Sequence, residues 1–292
     1  MNGFSASEAA LEGFRLTRER PGTIAAWSVI YAVSMVAIGE IMLSSLGAEA
    51  LQIARKGRFS PEDAEVIATK LANSIPAFLL VLLLAVGLIS IITAGIYRLV
   101  LRPDEKGFVH LRLGPDELRL TLVNLLLFGI GLLCLVVGFV AIAAAEQGGS
   151  AVGLIVGVLV AALTVWLGVR LSLATPMTFN AHRITLGPAW GLTRGRFWPL
   201  LGMIVLALIF YVMVWVLVTV IWFALVMVAG GPDAVGAGGT AVAIVIGVIA
   251  FVIQMLVSVV QLVMIYAPFA VAYQQLHGDQ PANPLRARME HG

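Results

Sequence analysis

The hydrophobic positions of the chain form six long apolar runs, separated by short polar segments. The runs cover residues 21–46, 76–101, 118–145, 151–175, 197–229 and 240–273. About 20 apolar residues in a helix cross the roughly 30 Å hydrocarbon core of a bilayer. The pattern therefore predicts an all-α polytopic protein with six transmembrane helices in a single membrane domain over 1–292. The last two runs exceed a perpendicular crossing, so we expect tilt or extension beyond the bilayer.

Two polar segments carry signals of surface helices. Residues 4–20 place Ser5 and Glu8 at the spacing of a capping box, in which each side chain accepts the other residue's backbone N–H. This helix would lie on the membrane with its apolar face among the headgroups, or would pack on the protein itself. Its polar face would carry Glu8, Glu12, Arg15 and Glu19. In the loop 47–75, Ser60 followed by Pro-Glu-Asp predicts a second amphipathic helix on the opposite side of the bilayer.

The remaining connections are short. Alternation from Phe108 to Leu113 is compatible with a short extended segment before the third span. The polar tail 274–292 is too short to form a domain.

Short motifs recur ahead of alternate spans, which predicts an internal repeat. Leu-Thr occurs at Leu16-Thr17, Leu120-Thr121 and Leu192-Thr193. Arg98 precedes Leu120 by 22 residues, and Arg170 precedes Leu192 by the same 22. We expect three helical hairpins, each preceded by a cytoplasmic interfacial segment.

Composition indicates the class of protein, and the distribution of charge predicts its orientation in the membrane. With 60% hydrophobic and 12% charged residues, the chain is unlike soluble domains, which are about 45–50% apolar and about 25% charged. The single cysteine, Cys134, excludes a disulfide or a cysteine metal site within one chain. Fourteen of the 18 Lys and Arg residues lie on the side of the termini, which predicts that both termini are cytoplasmic. The residue usage is typical of a GC-rich bacterial genome, so we expect the inner membrane.

The architecture resembles a known group. The chain has six spans, interfacial segments before the first, third and fifth, and Leu-Thr-Arg-x-Arg motifs that begin at Leu16 and Leu192. In these features it resembles the six-helix membrane domain of some bacterial glycerophosphodiester phosphodiesterases and its free-standing relatives. The resemblance covers most of the chain. No soluble stretch is long enough for the catalytic barrel, so no catalytic residue carries over. The resemblance implies an accessory or scaffolding membrane module that handles lipid.

Enzymatic and nucleotide-binding motifs are missing from the sequence, which has no Walker loop, GxGxxG fingerprint or HExxH motif. One acid-rich cluster with a histidine, His110 near Asp104, Glu105, Asp116 and Glu117, could serve catalysis or surface ion pairing. We expect no enzymatic activity, cofactor, metal or nucleic-acid partner.

Two sets of residues are candidates for function. The first set could bind anionic phospholipid headgroups or could simply anchor the positive side, and comprises Arg18, Arg20, Arg98, Arg170, Arg194 and Arg196. The second is a polar stripe on the sixth span that could make interhelical hydrogen bonds or line a substrate cavity, and comprises Gln254, Ser258 and Gln261, with Asn124 from another helix. We predict a non-enzymatic scaffold or accessory protein with bound anionic lipid and a membrane-protein partner. The alternative is a small transporter or lipid translocator.

Overall fold

The computed structural model describes residues 4–56, 60–103, 108–146, 149–228, 230–231 and 241–278. Over these ranges the chain is helical without strands, and six helices are long and apolar enough to cross a membrane. The helices are α1 (Ala6–Glu19), α2 (Pro21–Lys56), α3 (Pro61–Asn73), α4 (Ile75–Leu101), α5 (Pro115–Glu146), α6 (Ser150–Leu171), α7 (Ala174–Ala181), α8 (Leu186–Leu192), α9 (Phe197–Val228) and α10 (Ala241–Gly278). The predicted all-α membrane fold is confirmed.

Several predicted bounds need correction. The fourth span is not one continuous helix, because α6 ends at Leu171 and α7 begins at Ala174 within an apolar segment that extends from Ala151 to Ala181. Pro176 explains the break, since a proline ring clashes with the carbonyl four residues earlier, here that of Ser172. The predicted loop after residue 46 is helical as far as Lys56, beyond a non-helical Gly47 at φ +77°. The third span also begins earlier than predicted, at Pro115.

The predicted tail is wrong at its start, because α10 continues to Gly278. The extra turns are held by α1, whose Ser5 backbone N–H donates to Gln275 Oε1 at 3.3 Å, and Leu276 is fully buried there. The rest of the tail, 279–292, and the connection 232–240 lie outside the described residues.

Helix α10 is the centre of the bundle and contacts α1, α2, α4 and α9, while the α5–α6 hairpin leans on α4 and α7. Buried side chains concentrate at the end of the bundle that carries Arg98 and Arg170, which we call the basic end. The buried residues of α4 lie within its second half, and those of α9 are Leu200, Met203 and Ala207. Towards the other end, the helices present large apolar side chains outward, as lipid-facing helices do.

Helix α1 packs into the groove between α9 and α10. Gly13 permits this approach, because a Cβ there would lie 2.6 Å from the Met264 Cα. Glu12, placed on the polar face by the sequence pattern, is instead buried and accepts a hydrogen bond from Arg15 Nη2 at 2.7 Å. Burial raises the pKa of the Glu12 carboxyl, and the Arg15 charge opposes that shift.

The predicted capping box is half formed. Ser5 Oγ accepts the Glu8 backbone N–H at 3.3 Å, as expected at an N-cap. The reciprocal bond is replaced by the one from the Ser5 N–H to Gln275. Helix α1 therefore begins where it does partly because of a contact with the far end of the chain.

The extended segment predicted from Phe108 to Leu113 is wrong at its start, where the chain forms a 3₁₀ turn over Phe108–His110. Val109 and His110 have φ of +52° and +60°. Two bonds from distant helices hold this turn. Trp27 Nε1 donates to the Val109 carbonyl at 2.8 Å, and Arg98 Nη1 donates to the His110 carbonyl at 3.0 Å.

The three predicted hairpins correspond to α2/α4, α5/α6 and α9/α10, and the helices of each pair are in contact. Thr17, Thr121 and Thr193 each donate to the carbonyl four residues earlier, at 2.8, 2.8 and 3.2 Å. They occupy different places, however: the ends of α1 and α8, but the start of α5. The threefold repeat stays a prediction.

Candidate functional site

The six candidate arginines occupy three different environments rather than one ring. Arg98 is buried in an ion pair, and Arg170 lies against two tryptophans that contact each other. The other four lie at the surface or near it, and they are Arg18, Arg20, Arg194 and Arg196. Arg170 is therefore the member of the set with a structured setting that an anion could complete.

Arg98 is a poor candidate for binding a lipid headgroup, because its charge is paired with that of Glu117. Both residues are 4% exposed, and the Arg98 guanidinium donates to the Glu117 carboxylate. The Phe179 ring lies against the same guanidinium, 5.5 Å from ring centroid to Cζ. Because Glu117 sits in the first turn of α5, the pair joins the end of α4 to the start of α5. A buried charge that is already neutralised has no reason to attract lipid phosphate.

A second ion-pair network lies beside this pair. His182 Nδ1 is 2.8 Å from Asp116 Oδ1, and Arg119 Nη1 donates to the same oxygen at 2.7 Å. Arg102 Nη2 lies 3.0 Å from His182 Nε2 and donates to the Phe179 carbonyl at 3.3 Å. These contacts are the ion pairing that the sequence allowed for the acidic cluster.

The histidine in this network is His182, not the predicted His110. The two partners, His182 and Asp116, are 66 residues apart, so sequence spacing could not indicate the pairing. Burial and the positive charges of Arg20, Arg98 and Arg112 lower the pKa of His110. Two other members of the predicted cluster, residues 104 and 105, lie outside the described residues. In the described part of the chain, no three His, Cys, Asp or Glu side chains group as metal ligands.

The Arg170 guanidinium lies against the rings of both Trp166 and Trp190, which contact each other edge-to-face with their centroids 5.1 Å apart. Its Cζ is 5.6 Å from the Trp166 centroid and 5.4 Å from the Trp190 centroid, within the range of cation–π attraction. Trp166 and Arg170 are four residues apart and share one face of α6, while Trp190 comes from α8. Thr193 Oγ1 lies 3.1 Å from the Arg170 carbonyl and shares its one O–H between this acceptor and the Ala189 and Trp190 carbonyls, so the end of α8 rests against the end of α6. We call this arrangement the Arg170 cage.

The hydrogen-bonding capacity of Arg170 is not met by the protein. Its Nε and Nη1 atoms are buried and have no hydrogen-bond partner among the described residues. An unsatisfied buried donor costs about 1–3 kcal/mol, and more when it is charged. Ring faces attract the cation but leave its in-plane N–H groups unbonded. The cage therefore holds a positive charge whose Nε and Nη1 donors have no acceptor in the described part of the chain.

The polar stripe of α10 faces a small cavity. Gln254 and Gln261 line a cavity of about 160 Å³ between α9 and α10, together with Trp215, Thr219 and Trp222. Ser258 Oγ donates to the Gln254 carbonyl at 2.8 Å, a bond within one helix. Gln261 Nε2 is buried and has no hydrogen-bond partner among the described residues. Gln254 and Gln261 therefore form part of a cavity wall, while Ser258 makes a side-chain hydrogen bond with Tyr31 of α2, so both predicted roles of the stripe stay open.

The sequence allowed Asn124 to line the same cavity as Gln254 and Gln261, but it lies elsewhere. Its Nδ2 donates to Ser90 Oγ of α4 at 2.8 Å. It lines a different and much larger cavity of about 620 Å³, whose walls come from α4, α5, α6, α7, α9 and α10. This cavity was not predicted from the sequence. The sequence feature that could have indicated it is the pair Gly131 and Gly168, which leave space in the cavity walls.

Comparison of the chain with protein-family models, with curated proteins and with solved structures found no match to any of them. The resemblance to phosphodiesterase membrane domains stays a prediction, and the function has to be inferred from the Arg170 cage and the two cavities.

Proposed function

We propose that the chain is a non-enzymatic membrane module that binds anionic phospholipid at the Arg170 cage. The observation that carries the proposal is a guanidinium held by two tryptophan rings with unbonded N–H donors. Guanidinium pairs with phosphate through charge-assisted hydrogen bonds, which are about twice as strong as neutral ones. The positive-inside rule predicts that this end faces the cytoplasmic leaflet of a bacterial inner membrane, where anionic lipids are abundant.

The surroundings of the cage suit a headgroup site. Trp166 is 38% exposed and Trp198, at the start of α9, is 76% exposed, which is the usual behaviour of tryptophans at a membrane interface. Arg194 is exposed and follows Thr193 directly in the chain, so it adds positive charge close to the end of α6. A phosphate at Arg170 would place the lipid chains along the outer face of α6.

Arg170→Gln is expected to weaken binding of phosphatidylglycerol about tenfold, which corresponds to about 1.4 kcal/mol. The loss follows from removing one charge-assisted interaction while keeping a hydrogen-bonding side chain. Native mass spectrometry of the purified protein, titrated with phosphatidylglycerol or phosphatidylcholine, measures the effect.

Arg183→Gln is the matched control, because Arg183 is an exposed arginine at the same end of the bundle. This variant should bind phosphatidylglycerol as the wild type does. An equal loss in both variants would mean that the preference reflects overall charge. Unchanged phosphatidylglycerol binding in Arg170→Gln would show that the Arg170 cage is not the binding site.

Transport is the second candidate function, and Gln261 favours it through its buried, unpaired amide facing the small cavity. A translocator using this face should lose flux of a fluorescent anionic lipid in Gln254→Leu/Gln261→Leu while still folding. Gln274→Leu, an exposed position on the same helix, is the control. Flux retained by the double variant would exclude this route.

A further inference from the structure

The cavity of about 620 Å³ is large enough for a ligand, since small-molecule sites span roughly 300–1,000 Å³. Along α5 its wall runs from Asn124 to Cys134, and along α6 from Thr164 to Ser172. Ten residues of helix correspond to about 15 Å, so the cavity is elongated along the helix axes. All of these wall residues fall within two of the membrane-spanning segments, Pro115–Ala145 and Ala151–Ala181.

The walls are largely apolar, and several of their polar groups are bonded within the protein. Asn124 Nδ2 donates to Ser90 Oγ. Thr175 Oγ1 lies 2.7 Å from Tyr97 Oη, within hydrogen-bond distance. Ser172 Oγ donates to the Val169 carbonyl at 2.8 Å. An occupant needs to supply no hydrogen bond to these groups, and water would find few partners along the remaining walls. The chemistry therefore favours hydrocarbon.

The cavity is partly open, and the seam between α6 and α9 is its weakest wall. At the basic end these helices belong to one buried cluster, which includes Val169 and Leu200. Farther along, Leu159 and Leu163 of α6 are 64% and 58% exposed, and Leu208 of α9 is 56% exposed. Contacts between α6 and α9 are also sparse compared with those between α5 and α6 or between α9 and α10, so this seam is the least closed.

We propose that this cavity holds one hydrocarbon chain of a membrane lipid, which enters sideways between α6 and α9. An empty cavity forfeits dispersion contacts on every wall, and a chain from the adjoining bilayer restores them without moving any polar group. The site is separate from the Arg170 cage, because Gly168 and Ser172 face the cavity whereas Trp166 and Arg170 lie on the other side of α6. It stands whether or not Arg170 binds phosphate.

The test uses the full chain in vesicles of phosphatidylcholine that carries a diazirine in the middle of one acyl chain. After illumination, mass spectrometry of peptides locates the lipid adducts. Adducts are expected on cavity-facing residues of α5 and α6 as well as on lipid-facing residues such as Val220, which is 60% exposed. Labelling of Val220 without labelling of the cavity walls would overturn the proposal.

Gly131→Phe should abolish most adducts on the α6 wall by filling the cavity. Gly129→Phe is the matched control on the same helix, because a Cβ meets nothing within 4 Å at either glycine and only Gly131 lines the cavity. Unchanged α6 adducts in Gly131→Phe would contradict the proposal. Gly168→Leu fills the same space from α6 and replaces Gly131→Phe if that variant does not fold. Because the probe lipid is zwitterionic, Arg170→Gln should leave this labelling unchanged, so the two proposals fail separately.

Discussion

Glu117→Ala is expected to lower the free energy of unfolding by about 3–5 kcal/mol, because it leaves the buried Arg98 guanidinium without its carboxylate. Both partners are 4% exposed, so water cannot replace the lost acceptor. Thermal unfolding of the purified protein in detergent measures the effect as a fall in the midpoint temperature.

Two comparisons separate the buried pair from charge in general. Arg119→Ala breaks the pair with Asp116, in which the arginine side chain is 36% exposed, and should cost about 0–1 kcal/mol. Arg98→Met/Glu117→Leu removes both charges and should recover much of the stability lost in Glu117→Ala. Equal midpoints for Glu117→Ala and Arg119→Ala would show that the pair does not hold α4 to α5.

Gly13→Ala is expected to destabilise the docking of α1 by about 1–3 kcal/mol, the usual cost of overpacking. The new methyl carbon would lie 2.6 Å from the Met264 Cα, and this atom belongs to the backbone of α10 and cannot rotate away. Limited proteolysis should cut α1 faster in the variant, because a displaced α1 exposes its backbone.

Gly22→Ala is the control, since a Cβ at Gly22 meets nothing within 4 Å. It should leave proteolysis unchanged, because alanine restricts the unfolded chain without clashing in the folded one. If Gly13→Ala is cut no faster than Gly22→Ala, α1 does not depend on close approach to α10.

The sequence could predict the six spans because a span depends on the length of an apolar run, which is local information. It could not predict the 3₁₀ turn at Val109, which depends on a hydrogen bond from Trp27, 82 residues away. Burial of Glu12 was missed for a similar reason. The helical wheel puts it on the polar face, but the packed face is set by the contact of Gly13 with Met264.

The candidate site likewise depends on contacts between residues that are far apart in the sequence. Arg98 and Arg170 stand at equivalent ends of α4 and α6, so their positions in the sequence do not distinguish them. Glu117 pairs with the first, and Trp190 stacks on the second; each partner comes from a separate helix. The large cavity was likewise beyond prediction, because it depends on how α6 packs against α9.

The most direct test of lipid binding is native mass spectrometry of the protein extracted from its own membrane, with bound lipids and bound proteins read together. The account predicts that wild-type protein retains anionic phospholipid in excess of its abundance in that membrane, and that Arg170→Gln loses this excess. Lipids retained in proportion to their abundance, with or without a protein partner at fixed stoichiometry, would contradict it.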